Sequence, residues 1–186
     1  MIDYKTASRS ELKKEYKRLS EKVNDTPFFT KREFYYLPKI LADDEVPMAI
    51  ASGLMKEHTW LIALTNQRLI FLDKGLFFGM DQVALNLSDI VSIHGSTGLL
   101  LGNITVSTAG QNYEITNISK AAVTPFTNLI NTVKEQHSYS GKNLDYNSQS
   151  ISSDKIVQLE KLAALKEKGI LTEEEFKIQK AQILGM

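Results

Sequence analysis

Leu12, Tyr16, Leu19 and Val23 stand at spacings of four, three and four near the start of the chain, with Lys, Arg and Glu between them. That spacing makes one apolar stripe on an amphipathic helix. Ser8 or Ser10 can cap its first turn. The stripe can lie on another part of the chain or form a short coiled coil, and three turns of heptad are few for the second.

From Val46 the pattern changes. Charges thin out, and short runs rich in β-branched and aromatic residues arrive every eight to twelve positions between turn residues, which predicts antiparallel β-structure. The expected strands lie near Met48–Met55, Thr59–Leu64, Leu69–Asp73, Gln82–Leu87, Ile90–His94, Asn103–Thr108 and Tyr113–Thr116. Lys74-Gly75 and Ala109-Gly110 are expected to supply the positive φ of tight hairpins, and Thr65-Asn66 to supply side chains that bond their own backbone. Seven short strands should curl into a barrel or a sandwich. Thr124-Pro125 then marks a helix start, with Phe126, Leu129, Ile130 and Val133 on one face. An open barrel end would leave its apolar interior wet, so this helix is expected to plug it.

The tail has a third pattern. Ile156, Leu159, Leu162 and Leu165 form a helical stripe, Gly169 sits where a left-handed C-cap belongs, and Thr172 with Glu175 makes a capping box for a second helix carrying Phe176, Ile183 and Leu184. A hairpin this small cannot bury enough apolar surface to offset its conformational entropy alone. Leu159, Leu162, Leu165, Ile170, Leu171, Phe176 and Ile183 are therefore the expected contacts of the tail with another surface, the same hairpin of a second chain or a different protein. The preceding "HSYSGKNLDYNSQSISS" is polar and reads as a flexible linker. The division expected is a helical extension over 1–29, a barrel over 30–137, a linker over 138–152 and a helical hairpin over 153–186.

Composition narrows the function. The chain has 186 residues, with 22 Lys+Arg against 22 Asp+Glu, and the balance holds within each part. No segment has the basic excess that nucleic acid or an anionic membrane demands. Without cysteine, disulfides, thiolate metal sites and cysteine nucleophiles are excluded. The charged N-terminus lacks the apolar stretch of a signal peptide, so a cytoplasmic location is expected.

Candidate chemistry is sparse. His58, His94 and His137 share no metal-ligand spacing, and there is no nucleophile elbow or distinctive carboxylate pair. No cofactor, metal or catalytic residue is expected. "GSTGLLLG", Gly95–Gly102, has the look of a phosphate-cradling loop, but it lacks the Lys-Ser/Thr ending and precedes a strand. A glycine-rich connection between strands is the expectation. Trp60 and the methionines are assigned to the core. In "KGLFFGM", strand alternation would expose one of Phe77 and Phe78. Either Lys74, Phe77 and Phe78 form an apolar tip over 74–80 for a membrane or partner, or both rings pack under the N-terminal segment.

The stretch "ALTNQRLIFLDKGLFFGMDQVALNLSDIVSI" resembles bacterial pleckstrin-homology-like (PH-like) domains of the YokE-like group over roughly residues 30–137. That resemblance implies a seven-stranded, strongly bent barrel closed by a C-terminal helix, mainly β with helices added at either end. On such a fold Thr65–Arg68 is a hairpin corner, with Arg68 paired to a neighbouring acid or a strand end. Eukaryotic relatives bind anionic headgroups through basic clusters around the first hairpin loop. Here that loop is "MKEHTW", with Lys56 beside Glu57, which argues against such binding. The tail, "DKIVQLEKLAALKEKGILTEEEFKIQKAQIL", resembles the SHOCT (short C-terminal) domain. The two resemblances together imply a non-enzymatic interaction or scaffolding module, the barrel presenting a surface and the hairpin mediating oligomerisation or partner docking. Peripheral membrane binding through the 74–80 tip is the alternative.

Overall fold

The structure is a computed structural model that describes residues 2–75 and 79–144, together with Leu162, Lys166, Thr172, Phe176, Lys177, Gln179 and Lys180 of the tail. The chain divides into two compact units, Met1–Ser140 and Gly141–Met186.

The first unit opens with α1 (Arg9–Glu21) and α2 (Lys31–Tyr36), followed by β1 (Pro47–Met55), β2 (His58–Thr65), β3 (Arg68–Asp73), β4 (Asp81–Asn86), β5 (Ile90–Thr97), β6 (Leu101–Thr108), β7 (Asn112–Ser119) and α3 (Lys120–Leu144). All seven expected strands form, most of them longer than the sequence pattern implied. They make one antiparallel sheet in the order β4-β3-β2-β1-β7-β6-β5. Consecutive strands pair except β4 and β5, and the two halves of the sheet join where β7 returns to β1, at Leu54↔Thr116. The bent sheet is not closed: β4 and β5 are its two edges.

Strand alternation sorts the side chains of β1–β3 into two separate cores. Ala49, Ala51, Trp60, Ile62, Leu64, Leu69 and Phe71 turn to the concave side, where they meet Ile104, Val106, Ile115 and Ile118 of β6 and β7. Ala122, Val123, Phe126, Ile130 and Val133 of α3 fill the rest of that side. The expected plug is thus in place. Ile50, Leu61, Ala63, Ile70 and Leu72 turn the other way, against Leu12, Tyr16 and Leu19 of α1 and Phe34 of α2. Leu12, Tyr16 and Leu19 of the stripe therefore lie on the sheet, Val23 falls beyond the end of α1 and joins the concave core, and no coiled coil is needed to bury them.

Ser8 caps α1 through a full capping box: Glu11 N–H donates to Ser8 Oγ, and Ser8 N–H donates to Glu11 Oε2 at 2.8 Å. Trp60 is buried as expected, its Nε1–H donating to Met55 O at 2.9 Å.

Three local expectations are corrected. The C-terminal helix begins at Lys120, not at Thr124-Pro125, so Pro125 stands inside it. Strand β7 runs straight into α3 without a loop, and the apolar face gains Ala122 and Val123. Gly110 has no positive φ. Its turn is held instead by Thr108, whose hydroxyl donates to Gln111 O while its backbone N–H reaches the same carbonyl. The third concerns Gly95–Gly102, where only residues 98–100 are a connection. Gly95 lies in β5 and Gly102 in β6, and a Cβ on either would come within 2.8 Å or 2.6 Å of the Val123 side chain. These glycines let α3 settle onto the sheet.

Candidate functional site

The corner between β2 and β3 is built around Arg68. Its Nε donates to Glu45 Oε1 and its Nη2 to Glu45 Oε2, both at 2.8 Å, and Nη2 also reaches Ile40 O. Glu45 is fully enclosed and accepts in addition from the Thr65 hydroxyl and from Ala42 N–H. Thr65 Oγ1 in turn accepts the N–H groups of Gln67 and Arg68. Burial pushes the Glu45 carboxyl up, but the Arg68 guanidinium and the other donors outweigh it and hold the group below its ordinary value. Asn66 reaches across rather than to its own backbone, accepting from Val46 N–H and donating to Asp44 O. Arg68 thus ties segment 40–45 to the sheet through Nε and Nη2.

The first hairpin loop is tight and carries one acid beside its one lysine. Lys56 and Glu57 form a two-residue turn with φ of 50° and 68°, between paired Met55 and His58. His58 Nδ1 lies 2.9 Å from Asp73 Oδ2, so the histidine is engaged by an acid. His94 lies exposed on β5 and His137 sits on α3, far apart in the sequence of elements. Among the described residues no group of His, Cys, Asp and Glu could hold a metal ion.

Of the expected tip, Lys74 is half-buried and its backbone N–H donates to Glu33 Oε1 at 3.2 Å. Phe77 and Phe78 lie outside the described residues. In the tail, Leu162 is buried and both Leu162 and Phe176 are helical. Thr172 O accepts from Phe176 N–H at 3.0 Å, a helical turn starting where the sequence placed a cap, and Lys166 Nζ stands 4.8 Å from the centre of the Phe176 ring. Leu159, Leu165, Ile170, Leu171 and Ile183 lie outside the described residues.

Two apolar exposures were missed by sequence reasoning. At the β5–β6 tip Leu99, Leu100 and Leu101 are 89%, 80% and 47% exposed. A signal existed: three leucines bracketed by Gly98 and Gly102, within an Ile90–Tyr113 stretch free of Asp, Glu, Lys and Arg. Lys120 stands beside them, its Nζ 3.5 Å from Leu99 O. The second exposure is Phe28 and Phe29, 66% and 79% exposed and packed edge to face with ring centres 4.1 Å apart. They precede α2 in a segment with no periodicity to flag them.

A seven-stranded, strongly bent antiparallel sheet plugged by a C-terminal helix is a PH-like fold. Residues 41–132 match the family described as Bacterial PH domain, and residues 158–184 match the one described as Short C-terminal domain. Among solved structures, the chain is similar to a pleckstrin homology domain from Shewanella amazonensis, at 18% identity over 46% of this chain and 79% of that one, with a TM-score of 0.37. It is also similar to a DUF1696 family protein with a pleckstrin-homology domain from Shewanella loihica, at 19% identity over 57% of this chain and 98% of that one, with a TM-score of 0.41. No curated protein matches the chain. Among the described residues no helix is long and apolar enough to cross a membrane.

Proposed function

We propose that this protein is a non-enzymatic interaction module in which the PH-like sheet presents a docking surface and the C-terminal hairpin joins it to a second chain or another protein. The observation that supports the barrel's part is the leucine tip. A hairpin apex that exposes Leu99 and Leu100 almost completely, on strands without formal charge, is the kind of apolar surface that marks contact with another molecule. The occupant favoured is a protein, because PH-like and SHOCT domains together suggest a binding or scaffolding role and the charge balance over 46–140, five basic against six acidic residues, offers an anionic membrane little attraction. A cytoplasmic setting agrees with this reading.

The tail's part rests on its residual apolar side chains. Leu159, Leu162, Leu165, Ile170, Leu171, Phe176 and Ile183 exceed what a hairpin of this size can hide, and a two-fold contact lets one patch serve both copies. Light scattering of the wild type and of Leu165→Ser/Phe176→Ser at matched concentration tests it: a larger mass for the wild type alone is expected, and equal monomeric masses would exclude self-association. For the tip, Leu99→Ser/Leu100→Ser should lose partners captured by the wild type from the native host, whereas identical capture would remove the tip from the reading.

Membrane binding is the second reading, and one observation favours it: the leucine apex has Lys120 beside it, the pairing of apolar wedge and cation that interfacial binders use. Sedimentation with anionic vesicles at low salt should show little binding. Strong binding abolished by Leu99→Ser/Leu100→Ser would exchange the two readings, and strong binding abolished by Phe77→Ser/Phe78→Ser would place the contact at the 74–80 tip.

A further inference from the structure

Lys5, Lys17, Arg18 and Arg68 each stand against a carboxylate, those of Asp43, Glu21, Glu15 and Glu45 in turn. Arg9, Arg32 and Lys74 do not. Among the described residues none of these three side chains makes an ion pair or a hydrogen bond. Yet they converge: Arg9 from the first turn of α1, Arg32 from α2 and Lys74 from just after β3 line one cavity of about 450 Å³, with Ala7, Leu12 and Tyr35 completing its described wall.

Like charges gathered in a concavity repel one another and focus a positive field there. No carboxylate stands in the described wall to offset it. The acids of α1, Glu11 and Glu15, line a different cavity with Lys14 and Arg18. Glu33, beside Arg32 in α2, is turned inward. Its Oε1 accepts from Lys74 N–H at 3.2 Å and its Oε2 is enclosed, so it fixes the backbone of Lys74 and leaves the ammonium free. Arg32 and Lys74 also border a neighbouring cavity that includes Glu57 and Asp73, but neither acid pairs with them, and Asp73 is engaged by His58. The Arg9 guanidinium is already posed, its Cζ 5.0 Å from the centre of the Tyr35 ring. An arginine held over a ring loses little further freedom when its N–H groups meet an anion. Two guanidiniums and an ammonium suit an anion with several oxygens and more than one charge. A phosphate monoester carries about −1.5 to −2 charge near pH 7 and three terminal oxygens, whereas a carboxylate or a phosphodiester carries a single charge.

We propose that this cavity binds a phosphate monoester, the guanidiniums of Arg9 and Arg32 clasping its oxygens and the Lys74 ammonium adding the third positive charge. Arg9 and Arg32 stand on α1 and α2, ahead of the segment 41–132 that matches the bacterial PH family. The site is therefore a property of the N-terminal helices docked on the sheet rather than of the sheet's hairpin loops. It depends on neither the leucine tip nor the tail.

The test is an amide-resolved NMR titration of the full chain, at fixed ionic strength, with glycerol 3-phosphate and N-acetyl-O-phosphoserine amide, and with dimethyl phosphate and N-acetyl-aspartate amide as singly charged controls. Saturable shifts of the Ala7, Tyr35 and Gly75 amides are expected with the monoesters and far weaker ones with the controls. Arg9→Gln/Arg32→Gln alters two exposed side chains and should weaken monoester binding at least tenfold. Lys13→Gln/Lys14→Gln removes the same net charge from exposed positions of α1 outside the cavity and should bind as the wild type does. Tighter binding of glycerol 3-phosphate would support the site with a small phosphate ester as its ligand, and tighter binding of the phosphoserine derivative would support it with a phosphorylated side chain. The proposal falls if the two double variants weaken binding equally, if Arg9→Gln/Arg32→Gln binds as the wild type does, if dimethyl phosphate binds as tightly as the monoesters, or if no monoester perturbs these amides at tens of millimolar. None of these outcomes bears on light scattering or partner capture, which report the tail and the tip.

Discussion

Strands β1–β3 and strands β5–β7 belong to one sheet, yet they are buried differently. In the first group nearly every residue is enclosed, including the whole of Trp60–Thr65 and Leu69–Asp73. In the second group β6 buries alternate positions such as Ile104 and Val106, β7 buries only Ile115 and Ile118, which lie either side of Asn117 with its φ of 57°, and β5 is open along most of its length. The cause is the N-terminal segment. Helices α1 and α2 cover the convex side of β1–β3, whereas the concave side of the whole sheet is served by α3. A strand that must be apolar on both sides has a continuous apolar run, and one that faces water on one side alternates. "WLIALT" and "RLIFLD" are of the first kind, "NITVST" and "NYEITNIS" of the second.

The largest effect should come from removing a side chain on which the two-sided burial depends. Phe34 is fully enclosed, contacts Tyr16 edge to face at 5.3 Å between ring centres, and sits over the convex side of the sheet. Phe34→Ala should destabilise the protein by about 3–5 kcal/mol, as cavity-forming aromatic truncations do. Val91 on β5 is 64% exposed, and Val91→Ser should change stability by less than about 0.5 kcal/mol. Chemical denaturation of both variants breaks the comparison if Phe34→Ala proves as mild as Val91→Ser, for then α2 would not be part of the folded unit.

This asymmetry explains what was legible in the sequence. The seven strands and both helical stripes could be read because burial imposes a period, and period survives in a single sequence. The boundary of α3 could not, because Pro125 carries a strong local signal for a helix start and the strand-to-helix junction at Ser119–Lys120 carries none. The role of Gly95 and Gly102 was equally hidden: a glycine in a turn-like run looks the same whether it bends the chain or clears space for Val123. Arg68 was legible as a paired corner residue, although its partner Glu45 stands in the "DDE" cluster and is indistinguishable there from Asp43 or Asp44. Glu33 looked like any acidic residue on a short helix. Only the packed structure shows that its Oε2 is enclosed and without a donor.

The second prediction sharpens the comparison through pH. Upstream of Leu54, where β1 meets β7, the backbone N–H of Ser52 is taken by Asp25 Oδ2 at 2.9 Å, and Phe28 N–H donates to Ser52 Oγ. Asp25 is 4% exposed, and burial pushes its carboxyl from 3.8 up to about 6, against the opposing pull of the Ser52 and Thr26 N–H groups. A pKa raised in the folded state means that the folded protein binds this proton more tightly than the unfolded chain does. The contribution is fully present below about pH 4 and is lost as pH rises through about 6, a change of roughly 3 kcal/mol for a shift of this size. Asp25→Asn abolishes that titration. Its stability relative to wild type should therefore rise between pH 4 and pH 7, and a difference independent of pH would show that Asp25 is hydrated and that the cover over β1 is loose.

The smallest effect concerns the turn that joins the two most deeply buried strands. Lys56 and Glu57 both lie in the left-handed region, which is unfavourable for residues with a Cβ and is the usual place of Asn-Gly in two-residue hairpins. Their side chains are exposed, so no enclosed apolar contact is lost when they are replaced. Lys56→Asn/Glu57→Gly should relieve the strain and stabilise the protein by about 1 kcal/mol, part of the gain being offset by the greater freedom of glycine in the unfolded chain. The gain should appear as a shift of the denaturation midpoint at unchanged slope, because the surface exposed on unfolding stays nearly the same. An equal substitution in the β6–β7 turn, Ala109→Asn, should yield nothing, since Thr108 holds that turn by hydrogen bonds and Gly110 has no positive φ to relieve. If Lys56→Asn/Glu57→Gly were instead destabilising, the left-handed pair would be held by contacts of the exposed Lys56 and Glu57 side chains.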